Sequence, residues 1–163
     1  MRDGILQDWS ANGGNLRSQF VLAAFRFAQK MHRLPRGFRW LGIPYLGLYQ
    51  LLIYWELGIE LNYKAEIGPR LRLHHGYALV IHDSVVVGAD CVLRHCTTLG
   101  SRRGDGDCPS IGDRVNIGCN SVIIGAIKVG DDANIGAGSV VIDDVATHGT
   151  VAGNPARPVR IAS

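Results

Sequence analysis

Two histidines stand side by side at positions 74 and 75, inside the otherwise apolar run LRLHHGYALVIHD. Neighbours on a strand point to opposite faces, so only one of the pair can face inward. Histidine changes charge near neutral pH and acts as a general base once a partner fixes its tautomer. Glu60, 15 residues earlier, is the carboxylate placed to accept the Nδ1 proton of His75 and leave Nε2 free. A histidine with satisfied hydrogen bonds and no chemical role is the other reading, and it suits His32 better.

Two other chemistries use the same residue types. His74, His75, His82, His95 and Cys96 are metal ligands by type. Adjacent histidines do not easily share one tetrahedral ion, however, and no acid-rich ligand set accompanies them, so no metal is expected. Cys108 could serve as an acyl-accepting nucleophile, but that route needs a thiolate activated by a nearby base. The four cysteines, Cys91, Cys96, Cys108 and Cys119, show no CxxC spacing. Met1 is followed by a polar stretch rather than a signal peptide, so free thiols in a reducing cytoplasm are expected.

The residues that must hold these groups fall into two regimes. Residues 15–34 repeat apolar side chains at helical steps: Leu16, Phe20, Ala23 or Ala24, Phe27 and Met31. Pro35 and Gly37 end that helix. The segment Trp40 to Trp55 carries no charge and is interrupted by Pro44. It is shorter than the roughly 20 residues a spanning helix needs. It reads either as a helix buried against a partner subunit or as one lying in a membrane interface, flanked by aromatics and Arg39.

From residue 61 the apolar period becomes six. Leu61, Ile67, Leu73 and Leu79 are followed by a shift of two residues, then by Val87, Leu93 and Leu99. The series resumes at Ile111 and runs through Ile117, Ile123, Val129, Ile135 and Val141. A six-residue period fits neither an α-helix nor a hairpin sheet, and is the signature of a parallel β-helix. Each hexapeptide supplies a short strand and a turn, and three strands close a coil of roughly 18 residues. Gly or Asn at the turns is expected to take backbone conformations that other residues resist. The fold class is therefore all-β, with an α-helical N-terminal segment over 1–59 and a β-helix over 60–163. Residues 100–110, GSRRGDGDCPS, keep the phase but lack strands, and are expected to leave the prism as an external loop.

Coil length places the histidines. His75 and His95 lie 20 residues apart, and removing the two-residue shift leaves one coil, so His95 stacks above His75. Alternation from Leu73 would turn His75 inward. Gly76 follows it, however, and corners break alternation, so His75 is expected at a corner, facing out toward a neighbour. Composition narrows the partners. Net charge is +3, and Arg102–Arg103 is the only adjacent Lys/Arg pair. No nucleic-acid partner is indicated.

The hexapeptide array, LHHGYALVI, the loop leading into CPSIGDRVNIGCNSVIIG, then VGDDANIGAGSVV and the terminal VAGNPARPV resemble the left-handed β-helix acyltransferases. The serine acetyltransferase branch is similar, and its short exopolysaccharide members, the colanic acid biosynthesis acetyltransferases, are most alike. The resemblance spans nearly the whole chain, more weakly before residue 58. It implies a left-handed coil, acetyl-CoA as co-substrate and a homotrimer, or a dimer of trimers, with the site shared between subunits. It puts the catalytic base on His75 and its orienting acid on Glu60, where the serine enzymes carry aspartate. It puts CoA contacts at Gly118, Cys119, Gly136 and Ala137, and an oxyanion-binding N–H near Gly100. Arg157 and Arg160 would reach CoA phosphates, or else form a solvated C-terminal face.

The chain departs from the serine enzymes at the acceptor. His74 replaces an aspartate, and Asp107–Cys108 replaces the Arg-His pair that holds a carboxylate. A carboxylate-bearing acceptor would meet Asp107, a like charge. A sugar hydroxyl suits the site better, with His74, His95, Asp107 and Cys108 around it. The expected activity is acetyl transfer to a carbohydrate of exopolysaccharide synthesis, in the cytoplasm and at the inner face of the membrane if the acceptor is lipid-linked. Serine O-acetylation is the alternative enzyme. A non-catalytic scaffold, or a carbonic anhydrase-like protein with three histidines on zinc, are the alternatives outside that class.

Overall fold

Apolar residues at every sixth position can be buried only if the chain turns after each short strand, and the computed structural model shows that path. It describes residues 4–104 and 106–159. Three parallel sheets run up the sides of a prism. The first stacks β1 (Glu60–Leu61), β4 (Val80–Ile81), β7 (Thr98–Gly100), β10 (Val122–Ile124) and β13 (Val140–Val141). The second stacks β2 (Glu66–Ile67), β5 (Val86–Val87), β8 (Ser110–Ile111) and β11 (Lys128–Val129). The third stacks β3 (Arg72–His74), β6 (Val92–Arg94), β9 (Asn116–Ile117), β12 (Asn134–Ile135) and β14 (Thr150–Gly153), and β15 (Ala156–Pro158) closes it antiparallel.

Each coil buries two side chains per strand unit. Leu73, Leu93, Leu99, Ile117 and Ile123 line one series, and Leu71, Cys91, Thr97, Val115 and Ser121 the position two residues before each. This second series corrects the sequence reading. Leu79 is buried, but it occupies the same place as Thr97, and Ile81 is the residue in phase with Leu61 and Leu99. The two extra residues therefore lie before Leu79, in the corner at His75–Ala78. They still fall between His75 and His95, so the stacking argument is unaffected.

The glycines also do a different job from the one expected. Gly68, Gly88, Gly112 and Gly118 are not among the positive-φ residues. A Cβ on Gly88 would sit 2.5 Å from the Gly112 carbonyl oxygen of the next coil. Absence of a side chain lets the coils stack closely. The left-handed corner positions are instead held by Arg70, Asp90, Arg114 and Asp132, with φ of 59°, 59°, 57° and 58°. Their charges alternate up the corner, and Arg114 binds Asp132 through Nε and Nη2 at 2.8 and 2.7 Å. Pairing compensates for conformations that cost L-residues about 1 kcal/mol or more.

The bottom coil has no coil beneath it, so its backbone groups need other partners. Helix α1 (Leu16–His32) and the segment before it supply them. Asn15 caps α1 by accepting from the Ser18 N–H at 3.1 Å. Asn12 spans Leu71 O (2.7 Å) and Leu73 N (2.9 Å), Ser18 donates to Leu73 O (2.6 Å), and Gln29 donates to Ala65 O (2.9 Å). Arg26 donates to the Ile67 and Gly68 carbonyls, both at 2.7 Å, and its charge meets buried Asp8 at 2.7 Å. The face of α1 turned to the coil thus carries Ser18, Val21, Leu22, Phe25, Arg26 and Gln29. The stripe expected from the sequence is displaced. Leu16 and Phe20 are exposed, while Ala24 and Phe27 meet Tyr45 of the next helix. Satisfying open carbonyls required polar side chains where an apolar face would leave them unpaired.

Helix α2 (Arg39–Tyr49) runs directly into a π-helical stretch, Gln50–Glu56. Pro44 does not break it. Pro44 and Trp40, whose carbonyl loses its helical partner, both lie on the exposed side. Tyr49 is buried and donates to Leu61 O at 2.7 Å, which fixes α2 to the first strand.

Candidate active site

The corner between the third and first sheets carries most of the expected site. Leu73 points inward and anchors the turn, and a Cβ on Gly76 would meet its Cδ2 at 2.6 Å, so Gly76 must lie tight beneath the corner. The corner is bought with left-handed backbone at His75 (φ 56°) and Ala78 (φ 48°). His75 is exposed, as a corner residue facing outward should be. Register pairs His74 with Arg94, which puts His95 directly above His75. Their rings stand 6.2 Å apart at 73°. The Asn120 N–H then donates to His95 O at 3.1 Å, and Gly138 N–H to Cys119 O at 2.8 Å. His75, His95, Cys119 and Ala137 therefore form one column up the corner, with Gly118 and Gly136 just inside it. A Cβ on Gly118 would collide with the backbone of Ala137, so this stretch stays low and close-packed.

Within the column, His95 is half-buried, and its Nδ1 is buried with no hydrogen-bond partner among the described residues. Partial desolvation, aided by the Arg94 charge, holds His74 below its ordinary value, so it stays neutral at pH 7. Arg17 lies over the half-exposed ring of Tyr77, 3.9 Å from its centroid, and ties α1 to the same corner.

Glu60 is exposed at the start of β1, paired with Val80 of the strand that leaves the His75 corner. Among the described residues no hydrogen bond or ion pair joins Glu60 to His75. Its charge is felt by Tyr54, whose hydroxyl is pushed up first by burial and then by Tyr63 and Glu60.

The remaining expected residues sit at the opposite edge of the first sheet. Gly100 is buried at the end of β7, and its carbonyl accepts from Gly125 N–H at 3.2 Å. The external loop leaves the prism after it. Asp107 pins that loop: its Oδ1 accepts from Ala126 N–H at 2.6 Å and its Oδ2 from Arg103 N–H at 3.1 Å. Cys108 Sγ lies 3.3 Å from His82 Nδ1. That nitrogen also accepts from Ser84 N–H at 3.2 Å and lies 3.1 Å from Asp83 Oδ1. The Cys108–His82 contact was not legible in sequence, because the partners are 26 residues apart and the loop hides the coil count. Arg157 Nη1 binds Asp143 Oδ2 at 3.1 Å, and Arg160 lies outside the described residues.

One chain thus assembles the histidine column and the Gly100–Asp107–Cys108 group on two separate edges. A concavity lies elsewhere, between the N-terminal segment and the second sheet, lined by Ile5, Arg26, Lys30, Glu66 and Val86. Among the described residues no three His, Cys, Asp or Glu side chains converge as a metal site.

Comparison with known proteins places this geometry. Residues 108–143 match the family described as bacterial transferase hexapeptide (six repeats). The chain is 39% identical over 160 residues to WcaB of Escherichia coli K12, covering 94% of this chain and 97% of WcaB, whose name assigns it provisionally as a colanic acid biosynthesis acetyltransferase. The chain belongs to the hexapeptide-repeat acetyltransferases. Serine acetyltransferase 4 of Arabidopsis thaliana is 34% identical over 158 residues, covering 96% of this chain but 43% of that enzyme. The soybean serine acetyltransferase apoenzyme superposes with a TM-score of 0.82 at 30% identity, over 97% of this chain and 68% of that one. The fold of this acetyltransferase is the left-handed parallel β-helix with a helical N-terminal segment.

Proposed function

We propose that the protein transfers an acetyl group from acetyl-CoA to a carbohydrate hydroxyl, with His75 as general base. The column of His75, His95, Cys119 and Ala137 carries this reading. Above the two histidines the column is small, Cys119 and Ala137 with Gly118 and Gly136 just inside, which gives a thioester arm room to lie along the corner, its carbonyl beside the imidazole. His75 takes the proton of the acceptor hydroxyl through Nε2 as the oxygen attacks the thioester carbon. The C–S bond then breaks, and the imidazolium returns the proton to the leaving thiolate. Glu60 is the carboxylate assigned to orient the ring and stabilise its charged form, a role that rests on the resemblance, since no hydrogen bond joins it to His75 among the described residues. A backbone N–H near Gly100 stabilises the oxyanion.

A trimer brings the two halves of the site together. The histidine column of one copy would face the Gly100–Asp107–Cys108 edge of the next. Gly118, Cys119, Gly136 and Ala137 would then contact pantetheine, and Arg157 and Arg160 the CoA phosphates. His74, His95, Asp107 and Cys108 would surround the acceptor. Asp107, with both oxygens already accepting N–H groups, leaves only its outer lone pairs for a hydroxyl and repels a carboxylate. The likeness to WcaB, which is named for colanic acid biosynthesis, supports an acceptor in exopolysaccharide synthesis.

Serine O-acetylation is the second reading, favoured by the serine acetyltransferases among the similar structures. The two separate in one assay. Thiol release from acetyl-CoA is followed with free serine and with sugars and polysaccharide repeat units. Carbohydrate-dependent release supports the proposal, and release with serine alone supports the second reading.

A further inference from the structure

The helix from Arg39 to Glu56 is apolar on both sides. Gly42, Tyr49 and Ile53 face inward and are buried, while Trp40 (66%), Ile43 (64%), Leu51 (55%) and Trp55 (84%) stand in solvent, with Leu41, Leu48 and Leu52 beside them. A surface helix ordinarily turns a polar face outward. This one has no charge between Arg39 and Glu56. Exposed apolar area of this kind marks an interaction surface.

The charges around it identify the occupant. Lys30, Arg33, Arg36 and Arg39 recur every third residue through the end of α1 and the turn into the helix, all exposed, and Lys30 and Arg33 also line the concavity beside Glu66. No acidic residue occurs between Lys30 and Trp55. Among the described residues no carboxylate forms an ion pair with any of the four. The fields of Arg39 and Arg33 overlap at His32, whose titration is pushed down by burial and then by Arg39, Lys64 and Arg33. A second copy packed on this face offers no acidic residue between positions 30 and 55 to meet the four cations. An anionic surface neutralises them and covers the apolar side chains at once. Tryptophans at both ends fit the headgroup level, where an aromatic ring keeps one polar edge wet. The helix is about 27 Å long at 1.5 Å per residue, and no described helix is long and apolar enough to cross a membrane, so it would lie along the surface.

We infer that the exposed face of residues 39–56, with Lys30, Arg33, Arg36 and Arg39, docks the protein onto an anionic lipid bilayer. This rests on geometry independent of the acetyl-transfer reading, although it would bring the enzyme to a lipid-linked acceptor.

The test is sedimentation of the full chain with vesicles of phosphatidylcholine alone and with about 30% phosphatidylglycerol. The expected result is binding to the anionic vesicles, weakened severalfold as salt rises from 50 to 300 mM, and lost in Trp55→Ser/Leu51→Ser and in Arg33→Glu/Arg36→Glu/Arg39→Glu. These side chains are exposed, so melting temperatures should match wild type, and turnover of a soluble acceptor should persist. Absence of binding to either vesicle overturns the inference. So does a Trp55→Ser/Leu51→Ser protein that binds vesicles normally but has a smaller mass in solution, which would make this face a subunit contact. Because vesicle binding needs no acetyl-CoA, its failure and the failure of acetyl transfer are read separately.

Discussion

His75 and His95 stack on successive coils with their rings 6.2 Å apart, and the buried Nδ1 of His95 has no hydrogen-bond partner among the described residues. The half-buried ring beside the exposed His75 imidazole is placed to touch a bound acceptor. His95→Ala is expected to lower kcat/KM for the acceptor about tenfold, equivalent to ~1.4 kcal/mol, with KM for acetyl-CoA nearly unchanged. Steady-state kinetics in both substrates check this. An equal loss in both would place His95 in general packing instead.

The buried Asp8–Arg26 pair should dominate stability at the base of the prism. Arg26 serves Asp8, Gln29 and two coil carbonyls at once. Removing one partner strands the other charge in the interior, at a cost of about 3–5 kcal/mol. Arg26→Ala and Asp8→Ala should each lower the midpoint of chemical unfolding sharply. In the double variant the second loss should be much smaller than the first.

Acidification should weaken the fold through His32 and His74. Both are held below the ordinary value of 6.5, first by burial, then for His32 by Arg39, Lys64 and Arg33, and for His74 by Arg94. A base with a depressed folded value binds fewer protons folded than unfolded, so stability falls as pH drops below about 6.5 and levels off once both forms are protonated. Unfolding midpoints between pH 7.5 and 5 measure this. His32→Gln should flatten part of the slope.

Asp107→Ala should release the external loop from its two backbone N–H donors. Both donors are exposed and can turn to water, so the loss is that of ordinary surface hydrogen bonds, about 0.5–1.5 kcal/mol each at most. The expected signature is faster proteolysis within residues 101–108 and a raised KM for the acceptor, with little change in KM for acetyl-CoA. Asp107→Asn, which keeps an accepting oxygen, should recover much of the loop protection.

Much of the prism could be read from spacing alone, because a six-residue period leaves few ways to bury Ile111, Ile117, Ile123 and Val129 together. The stacking of His95 on His75 followed from the same arithmetic. The position of the two-residue insertion did not, since Leu79 is as buried as the residues in phase and only strand register separates them. The cap on the first coil was hidden for a different reason. Asn12, Arg26 and Gln29 bind backbone groups 36 to 61 residues away, and a backbone carbonyl has no sequence signature. The Cys108–His82 contact was concealed by the loop between them, and the all-apolar helix announced an interface without saying which kind.

The account depends most on His75 as the base. Initial rates of thiol release from acetyl-CoA, with the best carbohydrate acceptor, should be compared between wild type and His75→Ala at matched melting temperature. Loss of a catalytic base predicts a fall in kcat of about 10²–10⁴-fold with KM for acetyl-CoA nearly unchanged. A His75→Ala protein turning over at the wild-type rate would contradict the account.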